Sequence, residues 1–321
     1  MNNIFILEKI KKKNEFYFFE HQFIDAYIKN GGKSIHPLKN QRYLGFLCRK
    51  LHISSSIFKN YNKKLIVCTS ANCLLTDSLP YSLNYEIIPM LWDCWPVYWD
   101  KLIEYLVKLE VKVVLVSSSQ VAKMLNERLP SIHSYYIPEG IDPWVYKKGE
   151  ALNERPYELY ELGRIYEPYH KKVVSLIENK KIEHHFYTIH KSNGENEKLA
   201  FLTYEDLISN LPKIKIVISF PQNITNPPKA GDIETLTQRY WESMLSRNII
   251  VGKAPKELIE IIGYNPVVDA NMLNPSSQII SILDNINDYQ NLVDRNYDAA
   301  IKYSSWMNRM DSIKEILERE F

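Results

Sequence analysis

Two glutamates, Glu234 and Glu242, stand eight residues apart in the stretch from Gly231 to Gly252. In the same stretch Leu236, Tyr240, Trp241, Met244 and Leu245 fall on one face at helical spacing. A helix from Glu234 to Ser246 would hold the two carboxylates roughly 12 Å apart, at ~1.5 Å per residue. Glu234 would then occupy the first turn, where a carboxylate is favoured and several backbone N–H groups lack partners. Those N–H groups, around Thr235, Leu236 and Thr237, make an anion site suited to a diphosphate. The carboxylate spacing suits contact with the sugar and the ribose of an extended nucleotide sugar; the alternative is two solvated helix carboxylates. Arg164 and Lys172 (or Lys171), in the run after an expected strand, can supply the positive charge a leaving nucleoside diphosphate needs, or can be surface cations. Asp93, in Trp92-Asp-Cys-Trp-Pro96 at another strand end, is placed either to contact an acceptor hydroxyl or to cap a turn. Trp92 and Trp95 beside it either stack on a sugar face or are buried in the core.

Other chemistries find little in the 321 residues. No HExxH and no Asp-x-Asp occurs, so no metal site is expected, and no cofactor beyond the nucleotide sugar as substrate. His184 and His185 are neighbours on an expected strand and point to opposite faces, which makes them poor joint ligands. The glycines form no GxGxxG, and Gly32-Lys33-Ser34 copies only the tail of a P-loop, because Tyr27 stands where its first glycine belongs. Ser117, Ser118 and Ser119 read as a strand end that caps the next helix. The four cysteines show no CxxC spacing and read as reduced, buried thiols of a cytoplasmic protein. A formal net charge of +2 argues against a nucleic-acid binder. No apolar run is long enough to span a bilayer. Ile4-Phe-Ile-Leu7, followed by Lys9, Lys11, Lys12 and Lys13, reads as a solvated first helix; the second reading is a peripheral contact with anionic lipid at the inner face of the membrane.

The elements that must position these residues alternate as an α/β fold with parallel strands does. Strands are expected at 65–69, 86–92, 111–116 and 135–137, with helices near 19–29, 40–51, 98–109 and 120–128. Pro138, Gly140, Pro143, Gly149 and Pro156 then cluster as a linker would. A second series follows, with strands at 157–162, 184–189, 214–220, 249–251 and 266–269. Its helices are expected at 167–179, 204–211, 234–246, 255–262 and 276–285. The domains are therefore set at 1–150 and 151–303. In the closing stretch, 304–321, Trp306, Met310, Ile313 and Leu317 share one helical face.

With these residues in place, Glu-x7-Glu and its surroundings resemble the donor-site helix of retaining GT-B glycosyltransferases. The likeness is nearest to the bacterial branch of spore-maturation CgeB-like proteins and surface-polysaccharide transferases. Gly163-Arg…Lys172 resembles that family's diphosphate-neutralising element, and Ile137-Pro-Glu-Gly-Ile-Asp142 resembles the segment closing its N-domain. Tyr204-Glu-Asp-Leu…Ile218-Ser-Phe-Pro221 looks like the run before the donor loop, and Ser305-Trp-Met-Asn-Arg309 like the terminal helix crossing back to the N-domain. The resemblance covers about 86–321. It implies two Rossmann-like domains facing across a cleft, Glu242 on the donor ribose, Glu234 at the transferred sugar, and retention of anomeric configuration. The implied partners are a nucleotide-sugar donor in the second domain and a surface glycan or lipid-linked oligosaccharide acceptor in the first. The glycine-rich loop of many relatives is not evident, and no first strand is apparent. A non-catalytic nucleotide-sugar-binding protein and a non-hydrolysing epimerase are the alternatives.

Overall fold

The computed structural model describes residues 3–10, 18–53, 60–179, 181–190 and 196–321. Its first half forms a parallel sheet of six strands, β1 (Ile4–Leu7), β2 (Lys33–Ile35), β3 (Asn60–Ser70), β4 (Tyr85–Trp92), β5 (Val113–Val116) and β6 (His133–Tyr136), in the order β2-β1-β3-β4-β5-β6. The helices between them are α1 (Phe18–Lys29), α2 (Gln41–Lys50), α3 (Leu74–Ser78), α4 (Trp99–Lys108) and α5 (Ser119–Arg128). Continuous apolar runs such as Leu65–Cys68 are buried because helices cover both faces of the sheet.

The second half repeats the plan. Strands β7 (Tyr157–Glu161), β8 (His185–Tyr187), β9 (Ile189–His190), β10 (Asn196–Lys198), β11 (Ile214–Ser219), β12 (Ile249–Gly252) and β13 (Val268–Asp269) follow. All but β9 and β10, which pair as a small antiparallel ribbon, form a five-stranded parallel sheet in the order β13-β12-β11-β7-β8. Its helices are α6 (Glu167–Glu178), α7 (Tyr204–Asn210), α8 (Gln222–Thr225), α9 (Pro227–Ala230), α10 (Gln238–Leu245), α11 (Lys256–Ile262), α12 (Pro275–Asp284) and α13 (Gln290–Tyr303). The closing α14 (Met307–Glu320) returns to the first domain. Trp306, Met310, Ile313 and Leu317 enter its core beside Phe23, Ile66 and Met90.

Two expectations are corrected here. Ile4–Leu7 is no solvated helix but β1, the missing first strand. Ile4, Ile6 and Leu7 are buried, so they are not free to meet lipid, while Lys11, Lys12 and Lys13 lie outside the described residues. The helix expected from Glu234 begins at Gln238, because Thr237 is extended (φ −123°, ψ 154°) and the Leu236 N–H is taken by Glu257. The stretch after Pro138 is ordered: Arg155 is buried and donates to the Glu150 and Ile214 carbonyls, and short 3₁₀ turns cover Pro143–Val145 and Leu152–Glu154. Among the described residues no helix is long and apolar enough to cross a membrane.

The two domains are joined by more than chain connection. Ile141 and Ser305 form a parallel bridge where the chain crosses out and back, and a Cβ on Gly140 would sit 2.9 Å from the Trp306 ring, so only glycine fits. Ala230 and Ile233 of the second half are buried in the first domain's core. Glu257 on α11 reaches across to α5 and accepts from the Ser119 N–H (2.8 Å) and Oγ (2.7 Å), while its other oxygen accepts from the Leu236 N–H (2.9 Å). The serines therefore do not cap α5 themselves; a carboxylate from the other domain does. Glu257→Ala strands the buried Leu236 amide and the part-buried Ser119 amide and hydroxyl, and should cost about 2–4 kcal/mol in denaturant unfolding. A change below about 0.5 kcal/mol would show that this contact contributes nothing measurable to stability.

Candidate active site

In the second sheet the chain passes from β7 to β8 on one side and to β11 on the other. Such a reversal opens a crevice at the carboxyl ends of the strands. The loop after β7 carries Gly163 and Arg164, and the segment after β11 leads through α8 and α9 to the loop before α10. The end of β4, with Asp93 just beyond it, comes from the first domain. The two sides meet where Lys229 Nζ lies 5.8 Å from the Trp95 ring centroid and 5.7 Å from that of Tyr98.

Cations gather here. Gly163 has φ +88°, and a Cβ on it would stand 2.9 Å from the Arg239 guanidinium, so glycine lets Arg239 lie against this loop. Burial lowers the Arg164 pKa, the nearby Arg239 lowers it further, and Asp93 opposes the change. Burial likewise lowers Lys229, with Asp93 acting against the shift and Arg164 adding to it. Three like charges in one partly buried place repel one another. They are a ready receptor for a polyanion. Asp93 is the exposed counter-charge among them; its backbone is left-handed (φ 51°), a conformation Asp tolerates, and its Oδ1 accepts from Trp95 Nε1 at 3.1 Å.

A second carboxyl, Glu139, is buried at the start of α10. Burial pushes its pKa up to about 8; Asp93 and Glu242 add to the rise, and the Gln238 N–H and Arg239 oppose it. Its backbone carbonyl accepts from Trp241 Nε1 at 3.0 Å and from Arg309 Nη2 at 3.4 Å, so α10 and the connection into α14 both hold the loop. Beside it, Glu234 Oε1, Thr237 Oγ1 and Gln238 Oε1 are buried with no hydrogen-bond partner. Unsatisfied polar atoms at a helix start are what an absent ligand would pair with.

The structure brings some of the expected residues together and separates others. Arg164 and Asp93 share the cation cluster. Glu234 lies in the loop before α10, where its N–H donates to Gln120 Oε1 of the first domain at 2.8 Å, so the helical 12 Å spacing to Glu242 does not apply. Thr235 lies in the same loop, whereas the Leu236 side chain is fully buried and its N–H is used by Glu257. Glu242 is only 3% exposed, and its Oε1 accepts from Tyr146 (3.0 Å) and Tyr204 (3.3 Å). Burial raises its pKa, against the pull of Tyr146, Arg239 and Tyr204. Lys172 does not join the cations: its Nζ donates to the Met272 and Leu273 carbonyls at 3.0 and 3.2 Å, and Lys171 pairs with Glu167. Trp92 and Trp95 are core residues, Trp92 packed by Phe19, Phe23 and Trp306, and do not present a face to a sugar. Lys229, Arg239 and Glu139 were missed as chemistry. Arg239 sits inside the Glu-x7-Glu stretch and Glu139 inside Ile-Pro-Glu-Gly, so both signals were present.

Searches against protein families and against curated proteins find no match. Solved structures match over the whole chain. Sucrose-phosphate synthase from Thermosynechococcus elongatus superposes with a TM-score of 0.63 at 10% identity, covering 99% of this chain and 98% of that one. Anabaena HepE, solved in complex with UDP and glucose, gives 0.59 at 9% identity over 98% and 99% of the two chains. AviGT4, a glycosyltransferase involved in avilamycin A biosynthesis, gives 0.54 at 10% identity over 98% and 97%. The fold is GT-B. At these identities the likeness establishes architecture, and the chemistry rests on this chain's own residues.

Glu139 makes the site pH-sensitive in a defined direction. Its folded pKa is raised from 4.5 to about 8, so its contribution to stability is complete below 4.5 and is lost as pH rises through about 8. Glu139→Gln should remove that dependence. Melting curves of the two proteins should diverge in the variant's favour across this window, and parallel profiles would contradict the assignment.

Proposed function

We propose that this protein is a glycosyltransferase that moves a sugar from a nucleoside diphosphate sugar to a hydroxyl acceptor. The observation that carries the reading is the convergence of Arg164, Lys229 and Arg239 at the switch point of a GT-B fold, opposite Asp93. As the glycosidic bond to the donor breaks, negative charge accumulates on the departing diphosphate. Fixed guanidinium and ammonium groups lower the energy of that state more than of the bound donor. With these cations, the transfer is written without a metal. That HepE is solved with UDP-glucose, as well as with UDP and glucose, favours a uridine diphosphate sugar as the first donor to try.

Within this reading Glu234, whose Oε1 is buried and unpaired, faces the transferred sugar. Thr235 and Thr237, in the loop before α10, line the diphosphate. Glu242 takes the donor ribose: both tyrosine hydroxyls converge on its Oε1, and its other oxygen is the one offered to the ribose. Asp93 contacts the acceptor hydroxyl, and Glu139, carrying its proton near neutrality, donates a hydrogen bond at the same end of the cleft. The acceptor is a surface glycan or lipid-linked oligosaccharide and the configuration is retained, both following from the likeness to CgeB-like and surface-polysaccharide transferases. Closure of the domains keeps water from intercepting the donor.

A thermal-shift series with UDP, GDP, ADP and TDP and their sugar conjugates tests the donor site. A ligand at about 100 times its dissociation constant should stabilise by about 2.7 kcal/mol. Arg164→Ala and Arg239→Ala should each weaken nucleotide binding by tenfold or more, that is about 1.5–3 kcal/mol per lost charged contact. Lys172→Ala should leave it unchanged. Asp93→Asn should lower turnover more than donor affinity. No binding of any of these nucleotides would defeat the reading; binding without transfer would indicate a sensor, and inversion of the donor sugar without an acceptor an epimerase.

A further inference from the structure

Away from the cations, three side chains meet at the edge of the second sheet. Glu161 ends β7, His185 lies on β8 alongside it, and His170 comes from α6. Glu161 Oε1 is hydrogen-bonded to His170 Nδ1 at 2.5 Å and to His185 Nε2 at 2.7 Å. Their potential ligand atoms all fall within 4.8 Å of one another. The Glu161 and His185 side chains are 2% and 1% exposed, and that of His170 is 12% exposed, so the group opens to solvent only on the His170 side. The expectation that His184 and His185 make poor joint ligands holds for those two: His184 faces away to Glu158. His185 finds its partners on other elements.

We infer that Glu161, His170 and His185 form a transition-metal site, most suited to Zn²⁺. Two imidazole nitrogens and one carboxylate are a known zinc donor set, with water completing a tetrahedron from the open side. A second observation points the same way: Glu161 Oε2 is buried without a partner. A cation held by Nε2 leaves Nδ1 protonated, and Oε2 is free for bidentate contact. Zinc bonds of ~2.0–2.1 Å place ligands of a tetrahedron ~3.3 Å apart, so the two Glu161–histidine contacts, at 2.5 and 2.7 Å, must each lengthen by less than ~1 Å to admit the ion. Bound there, the metal ties α6 to β7 and β8 at the root of the loop that carries Gly163 and Arg164. This site stands on its own residues whether or not the cleft transfers sugar.

The test uses the full, tag-free chain, stripped with chelator and dialysed against Zn²⁺ or Co²⁺. One equivalent of Zn²⁺ should bind and raise the melting temperature. Co²⁺ should develop the visible bands of a four- or five-coordinate centre. His185→Asn and His170→Gln should each weaken Zn²⁺ binding at least tenfold, while His184→Asn should not. X-ray absorption of the zinc-loaded wild type, which needs no variant to fold, should show two imidazoles and oxygen. Absence of stoichiometric binding, sulfur among the ligands, or equal affinity in the folded His170 and His185 variants would overturn the assignment.

Discussion

The Glu257 carboxylate is held by donors from both halves of the chain at once, and the cleft depends on it. One oxygen ends α5 of the first domain through Ser119, and the other holds the Leu236 amide in the loop that precedes α10. A buried carboxylate with three donors, two of them amides, is a strong, directional tie. Because Leu236 spends its N–H there, α10 begins later than its apolar pattern suggests. Glu234, Thr235 and Thr237 consequently sit in the loop that precedes the helix. The same loop is secured by Gln120, which accepts from the Glu234 N–H and donates to the Asp232 carbonyl at 3.2 Å. The loop before α10 is thus shaped by the opposite domain, and its geometry reports the closeness of the two.

Around that loop the charges are arranged to be incomplete. Arg164, Lys229 and Arg239 repel one another, and Asp93 offsets only part of their charge. Burial and Asp93 raise the Glu139 pKa to about 8, more than the Gln238 N–H and Arg239 lower it. A bound polyanion would complete the arrangement from outside, which is how a site can be both poorly satisfied alone and well satisfied when loaded.

Much of the architecture was legible before any coordinates. Apolar runs such as Ile214–Ser219 and Val113–Val116 are long enough, and bounded by clear turn residues, to read as buried parallel strands. The four residues of β1 were hidden because a basic run follows them and no alternation marks a strand so short. Helix α13 escaped because its apolar positions are thinly spread among polar ones. Within the site, Arg164 and Asp93 could be found from their places at strand ends. Lys229 could not, because it joins them only when α9 folds against Trp95 and Tyr98, a contact that no local spacing encodes. The group of Glu161, His170 and His185 was invisible for the same reason: its three members come from three elements.

The paired crossings between the domains have a mechanical consequence. The outgoing chain at Ile141 and the returning chain at Ser305 run side by side as a parallel bridge, with Arg309 donating to the carbonyls of Pro138, Tyr303 and Ser305 around it. A single tether would let one domain swivel freely about it. Two tethers laced together resist torsion, so the relative register of the two domain faces is set where the chain crosses rather than by the cleft alone.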